Sequence, residues 1–160
     1  MAVIDTYLHA IITRAEHEAR EDGSTTIEAQ HLLLAIAGEP EPAIRQVLDQ
    51  AGLDRLAIRD ALEREFEHSL SMVGVRTAYD LPPPSRLPTH PTMGTSAKLA
   101  LERGFATAAT SRKKDLRPAH LLLGILSARV GTVPRALALA GVDQDALTTR
   151  VRRTLAEESA

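Results

Sequence analysis

One segment of this 160-residue chain is written twice. Gln30-His31-Leu32-Leu33-Leu34-Ala35-Ile36 returns 89 residues later as Ala119-His120-Leu121-Leu122-Leu123-Gly124-Ile125. The same offset carries Val47-Leu48 onto Ala136-Leu137, and Ala51-Gly52-Leu53-Asp54 onto Ala140-Gly141-Val142-Asp143, with no gap between Gln30 and Leu62. A period this long exceeds the roughly 20–50 residues of solenoid repeats. The duplication therefore predicts two lobes related by a pseudo-twofold axis. One lobe of short helices buries too little apolar surface by itself, so the lobes are expected to share an interface.

Each copy reads as four helices, giving an all-α chain of eight. Ile4, Leu8, Ile11, Ile12, Ala15 and Ala19 recur at helical spacing, and Asp22-Gly23-Ser24 ends that helix. A short apolar helix follows from about Glu28 to Ala37. Pro42 suits the first turn of a third helix, closed by Gly52. A fourth runs from about Asp54 to Phe66, with Leu56, Ala57, Leu62 and Phe66 turned inward. The second copy repeats the plan: a fifth helix from Thr95 to about Arg112, a sixth from Pro118 through Ser127, a seventh opening after Gly131 and an eighth from Asp143 to about Glu157. The expected organisation is repeat one over 1–66, repeat two over 93–160, and a linker over 67–92. Pro82-Pro83-Pro84 in that linker favours an extended path.

Composition narrows the function. The chain is 44% hydrophobic but 2% aromatic, so the core must be aliphatic and there is no aromatic platform for stacking bases. With no Cys there is no disulfide and no thiolate chemistry. Neither a signal peptide nor an apolar run of ~18 residues stands in the sequence, so the expected location is the cytoplasm and no membrane is involved. The Met1 start and the Glu157-Glu158-Ser159-Ala160 end read as those of a complete small protein. The net charge of −2 hides an asymmetry: 6 Lys/Arg against 13 Asp/Glu up to Phe66, then 11 against 6 from Met93 onward. Opposite charge on two joined halves favours their apposition.

Candidate chemistry is sparse. His31 and His120 hold equivalent positions in the first turns of equivalent helices. They suit a metal pair, an acid/base pair, or a structural role in which each ring bonds the loop leading into its helix. The structural role is the reading taken, because no Cys, Asp or Glu stands at ligand spacing beside them. No Gly is followed by Lys, which excludes a Gly-rich phosphate loop, and neither Gly-x-Gly-x-x-Gly nor Gly-x-Ser-x-Gly occurs. Carboxylates such as Glu16 and Glu18 read as solvated helix faces. Arg112-Lys113-Lys114, Arg117 and Arg150-Arg152-Arg153 make the second half basic, yet the acidic first half speaks against nucleic acid; a patch for an acidic protein fits better. No enzyme, metal or cofactor is expected.

The doubled block resembles the N-terminal domain of Clp-type AAA+ unfoldases, the ClpC and ClpA type above all. That family carries two copies of a four-helix motif with a Thr-Glu-His-(Ile/Leu)-Leu-Leu-(Gly/Ala)-(Leu/Ile) signature. It stands here as Ala29-Gln30-His31-Leu32-Leu33-Leu34-Ala35-Ile36 and Pro118-Ala119-His120-Leu121-Leu122-Leu123-Gly124-Ile125. Ala97-Lys98-Leu99-Ala100-Leu101-Glu102 is similar to the family's fifth-helix opening, and the resemblance covers all but the linker. It implies a non-catalytic domain that receives peptides, substrates or adaptors ahead of an ATPase, binds phosphoarginine in ClpC proteins, and is a dock for cyclic-peptide antibiotics.

Two departures qualify what the resemblance implies. ATPase modules are missing, so this chain alone unfolds nothing. The Glu that precedes each His, and that the family uses for the phosphoarginine guanidinium, is Gln30 in one copy and Ala119 in the other. A neutral amide and a methyl group cannot make the charge-assisted bonds of a carboxylate. Weak or absent phosphoarginine binding follows. The expected ligand surface is then a groove where helices one and five meet, built from Met1, Ile4, Ile12, Thr13 and Glu16 with Met93, Lys98 and Glu102. Ile4 and Met93 serve equally as a seal between the lobes. The leading expectation is a stand-alone peptide- or adaptor-binding domain of Clp-type proteolysis, with a Clp ATPase or protease as partner. The alternatives are a structural accessory subunit on a Clp peptidase core and, less favoured, a nucleic-acid-binding regulator.

Overall fold

The computed structural model describes residues 2–39, 41–74, 90–111 and 116–158, with side chains described from Thr6 onward. Among these residues lie eight helices: α1 (Ala2–Glu21), α2 (Ala29–Ala37), α3 (Pro42–Gln50), α4 (Arg55–Met72), α5 (Thr95–Ala109), α6 (Pro118–Leu126), α7 (Thr132–Leu139) and α8 (Gln144–Glu158). Two dipeptides, β1 (Thr26–Ile27) and β2 (Thr92–Met93), pair in parallel, Ile27 opposite Met93. The expected proline run at 82–84 and the basic run at 112–114 lie outside the described residues. No described helix is long and apolar enough to cross a membrane.

The punctuation of the chain repeats with the sequence. Asp54 Oδ1 accepts the Ala57 N–H at 2.7 Å to open α4, and Asp143 Oδ1 accepts the Ala146 N–H at 3.1 Å to open α8. These side chains satisfy amides that the first turn of a helix leaves without a partner. Gly52 and Gly141 both close their helices at φ 74, a conformation that costs a side-chain-bearing residue. The next amide in each copy, Leu53 or Val142, reaches back to Leu48 O or Leu137 O at 2.8 and 2.9 Å.

Burial explains the arrangement. In α2 all residues but Gln30 are buried, and in α6 all but Pro118. A helix apolar all round has to sit at the centre, and α2 and α6 do so, in contact with each other. Helix α1 packs on α2 and, equivalently, α5 on α6. The outer helices then exchange between copies: α4 of the first packs on α7 of the second, and α8 of the second on α3 of the first. The pseudo-twofold axis thus passes between α2 and α6, with α1 and α5 flanking that pair.

The α5–α6 crossing is the tighter of the two. A Cβ on Gly124 would lie 2.2 Å from Ala100 O, and one on Gly104 3.2 Å from Leu121 Cα. The matching positions of the first copy carry Ala35 and Ala15, both buried.

Several expectations change. Helix α4 continues past Phe66 to Met72, and its buried stripe is Ile58, Ala61 and Glu65. Leu56 and Phe66, expected inward, are 72% and 58% exposed, because α4 is turned to meet α7 and lies off the apolar register of its own repeat. Glu18 is not a solvated face residue: its carboxylate is buried and takes Arg55 at 2.6 Å and Arg59 at 2.5 Å, clamping α1 to α4. The charge asymmetry is spent mostly within the halves. Among the described residues, Arg135–Glu65 at 2.8 Å is the Arg–carboxylate pair that crosses between α7 and α4. Arg150 also donates to Gln50 across the α8–α3 contact.

Gly124→Ala should destabilise the fold by about 1–3 kcal/mol through overpacking against α5, read as a lower urea midpoint at unchanged slope.

Candidate functional site

Both copied histidines fix the start of a central helix. The His31 Nδ1 accepts the Glu28 N–H at 2.9 Å, so its Nε2 carries the proton and donates to Asp22 Oδ2 at 3.0 Å. In the second copy His120 Nδ1 accepts the Arg117 N–H at 3.0 Å and Nε2 meets Ser111 Oγ at 2.8 Å. Each ring is 1% exposed with both nitrogens engaged, which leaves no lone pair for a metal. No group of three His, Asp or Glu suited to an ion occurs among the described residues.

Glu28 joins the two copies. Ala29 N–H donates to Ser96 Oγ at 2.8 Å, Ser96 O–H donates to Glu28 Oε1 at 2.7 Å, and Thr26 O–H donates to Oε2 at 2.7 Å. The carboxylate lies across the start of α5, where a Cβ on Gly94 would come within 2.1 Å of it. That helix N-terminus therefore already has an anion of the chain's own. Burial pushes the Glu28 carboxyl up, but the Ser96 and Thr26 hydroxyls and nearby His31 outweigh it and hold it below its ordinary value.

Beside this junction is a cleft of about 570 Å³ between the start of α2, one face of α5 and the α6–α7 connection. Leu99, Val130, Val133 and Pro134 supply apolar wall, and Arg103, Arg129 and Arg135 supply cations. Arg129 is held by Asp145 at 2.7 Å and Arg135 by Glu65 at 2.8 Å. Arg103, on α5, makes no ion pair or side-chain hydrogen bond with any described residue. A second cleft of about 460 Å³ shares Gln30 and Thr132 with the first but is acidic, with Asp22, Glu63, Glu67 and exposed Phe66 on its walls. Gln30 and Thr132 form the ridge between a basic and an acidic cleft.

The residues singled out in the sequence fall in different places. Gln30 sits on that ridge; Ala119 is fully buried. Met1 and the side chain of Ile4 lie outside the described residues. Ile12 is half-buried against the core, and Met93 likewise within β2. Thr13 Oγ1 donates to His9 O at 2.8 Å, and Glu16 takes His90 Nδ1 at 3.1 Å, tying α1 to the segment before β2. Lys98 and Glu102 are exposed on α5. None of Ile12, Thr13, Glu16, Met93, Lys98 and Glu102 lines the larger cleft; their neighbours Leu99 and Arg103 do. Sequence reasoning missed Glu28, Ser96 and Arg103, although Arg103 matches Arg14 at the 89-residue offset.

This architecture, a doubled four-helix unit with outer helices exchanged about two buried central ones, defines a repeat-built helical domain. The model of the Clp repeat (R) N-terminal domain family matches residues 4–87 and 92–159, and the chain belongs to that family. Solved structures share the fold. The N-terminal domain of the caseinolytic protease associated chaperone ClpD from Arabidopsis thaliana is 20% identical over 92% of this chain and 90% of that one, TM-score 0.65. The Hsp104 N-terminal domain from Candida albicans is 17% identical over 90% and 85%, TM-score 0.59. A structure from a malarial protein secretion system is 15% identical over 92% and 90%, TM-score 0.60. No curated protein matches the chain significantly in sequence.

Two outcomes are expected. His31→Ala should cost about 1–3 kcal/mol, since the half-buried Glu28 amide loses its acceptor and a buried ring is removed from the core, measured by urea denaturation. Glu28 has a depressed folded-state pKa, so its stabilisation is present above the ordinary carboxyl range and lost as pH falls through the folded value. Glu28→Gln should therefore melt lower than the parent at pH 7, the gap closing below about pH 4.

Proposed function

We propose that this domain is a non-catalytic receptor for peptide segments or an adaptor in Clp-type proteolysis, acting in the cytoplasm. The observation that carries the reading is the apolar-walled cleft between α2, α5 and α7, with Arg103 at hand. It is roomy enough for one or two side chains of an extended peptide and sits among rigid helix ends, as recognition pockets commonly do. The buried titratable groups support the same reading. Among the described residues His31, His120, Glu18 and Glu65 are each committed to structural partners.

Such a domain delivers substrates to a Clp ATPase or competes with the unfoldase's own N-terminal domain. The exposed surface of α1 and α5 around Thr13, Glu16, Lys98 and Glu102 is the other place for a ligand. Photo-crosslinkers at Val130 and at Lys98 separate the two in native lysate. Crosslinks to a Clp ATPase, its adaptor or its substrates from Val130 support the cleft, and the same partners captured at Lys98 alone would move the site to the outer face. The accessory-subunit alternative draws on the exposed apolar residues of α4, Leu56, Phe66, Met72 and Val73. It requires a stoichiometric complex with a Clp peptidase core in the absence of ATPase.

Phosphoarginine is expected to bind weakly or not at all. Gln30 and Ala119 lack the carboxylate that a guanidinium pairs with, and Glu28 already lies at the α5 N-terminus where the phosphate would be drawn. Calorimetry with the free amino acid should show no tight site; two tight sites per chain would contradict this. Cyclic-peptide antibiotics of the family belong to the same test, with binding read by protection of Lys98 and Glu102 in hydrogen exchange.

A further inference from the structure

Resting on the reading of the α2–α5–α7 cleft as a peptide site, we infer that the chain has kept one of two symmetry-related clefts, and that the open one takes an acidic peptide segment carrying aliphatic residues. The offset of 89 residues that relates the copies gives each cleft residue a counterpart. Ser96 corresponds to Tyr7, Leu99 to Ala10, Arg103 to Arg14, Val130 to Glu41, and Gln30 to Ala119.

In the first copy the counterparts are drawn into their own repeat, and the space left beside Arg14 and Ala35 is smaller, about 320 Å³. Tyr7 puts a largely buried phenol where Ser96 leaves room, packed against the core. Its hydroxyl is pushed well above the ordinary range, by burial first and then by the Glu39 and Glu41 carboxylates. Arg14 folds onto its own repeat, donating to Gly38 O at 2.7 Å with Glu39 at 3.7 Å. Ala119 is fully buried, so no side chain there faces a ligand.

The open cleft has the opposite character. The Arg103 guanidinium has no partner among the described residues, while Arg129 and Arg135 at the same walls are already paired with Asp145 and Glu65. Glu28 also lines this cleft, its carboxylate taken up by the Ser96 and Thr26 hydroxyls. Leu99 and Val130 are 40% and 87% exposed, apolar surface that an aliphatic side chain would cover. A guest carboxylate gains charge-assisted, bidentate hydrogen bonds at Arg103. At the first-copy position the matching guanidinium, Arg14, is already taken by Gly38 O and Glu39, and Glu41 stands where the open cleft has Val130. An acidic guest therefore finds a free guanidinium at one site and an occupied one at the other. The neighbouring acidic cleft beyond Gln30 and Thr132 repels the guest's acidic residues and limits where they settle.

The test uses the full chain and three fluorescein-labelled octapeptides: alternating Asp and Leu, and the same peptide with Asn or Lys in place of Asp. Anisotropy and calorimetry should show the Asp peptide binding at one per chain, about tenfold or more tighter than the Asn peptide, with the Lys peptide weakest. Arg103→Glu should abolish that preference without loss of helical circular dichroism, whereas Arg152→Glu, an equal charge change on exposed α8, should preserve it. Equal binding of the Asp, Asn and Lys peptides would overturn the acidic guest and leave the peptide reading standing. Two sites per chain would overturn the single open cleft, and no binding by any of the three would overturn both readings.

Discussion

The structure depends on the burial of two helices that have no polar face. Leu32, Leu33, Leu34 and Ile36 in α2, and Leu121, Leu122, Leu123 and Ile125 in α6, point in every direction and are all buried. Each such side chain stabilises by about 1.5–3 kcal/mol when fully buried, so neither helix tolerates solvent on any side. Amphipathic α1 and α5 cover one flank each, and the helices touch along the axis. What remains is covered by α4 and α8, each of which touches the central helix of its own repeat and an outer helix of the other. The buried histidine at the start of each central helix accepts the N-cap amide that the helix itself leaves without a partner.

Much of this was legible in the sequence. The repeat, the eight helices, the glycine closures at 52 and 141 and the aspartate openings at 54 and 143 are local signals, set within a few residues of where they act. The exchange of outer helices was not legible, since the pattern of α4 shows an apolar stripe but not which repeat it faces. Leu56 and Phe66 were expected inward for that reason. The buried Glu18 was missed on similar grounds: its two arginines lie 37 and 41 residues away and look like ordinary surface charge. The two-residue β pair joins Thr26–Ile27 to Thr92–Met93 and carries no signal of its own at that length.

The candidate site was partly legible. Gln30 stood out because a resemblance marked it, and it does border the cleft between α2, α5 and α7. Arg103 did not, although the same offset that revealed the repeat sets it against Arg14. Identical residues at matched positions do different work here: one guanidinium is tied to Gly38 and Glu39, the other faces open space. What separates them is the neighbour at the other matched positions, Tyr7 against Ser96, and Glu39 against Ala128.

The exchange of α4 and α8 between repeats has a consequence for how such a chain diversifies. A single unit leaves α2 exposed and α3 without α8, so alone it would have to pair with an identical copy as a closed dimer. In that dimer every substitution appears twice, and a change that seals one cleft seals both. Joining the units in one polypeptide removes this constraint, because position 7 and position 96 become separate letters. The covalent link thus permits asymmetry, and a symmetric scaffold can hold a filled half beside a vacant one.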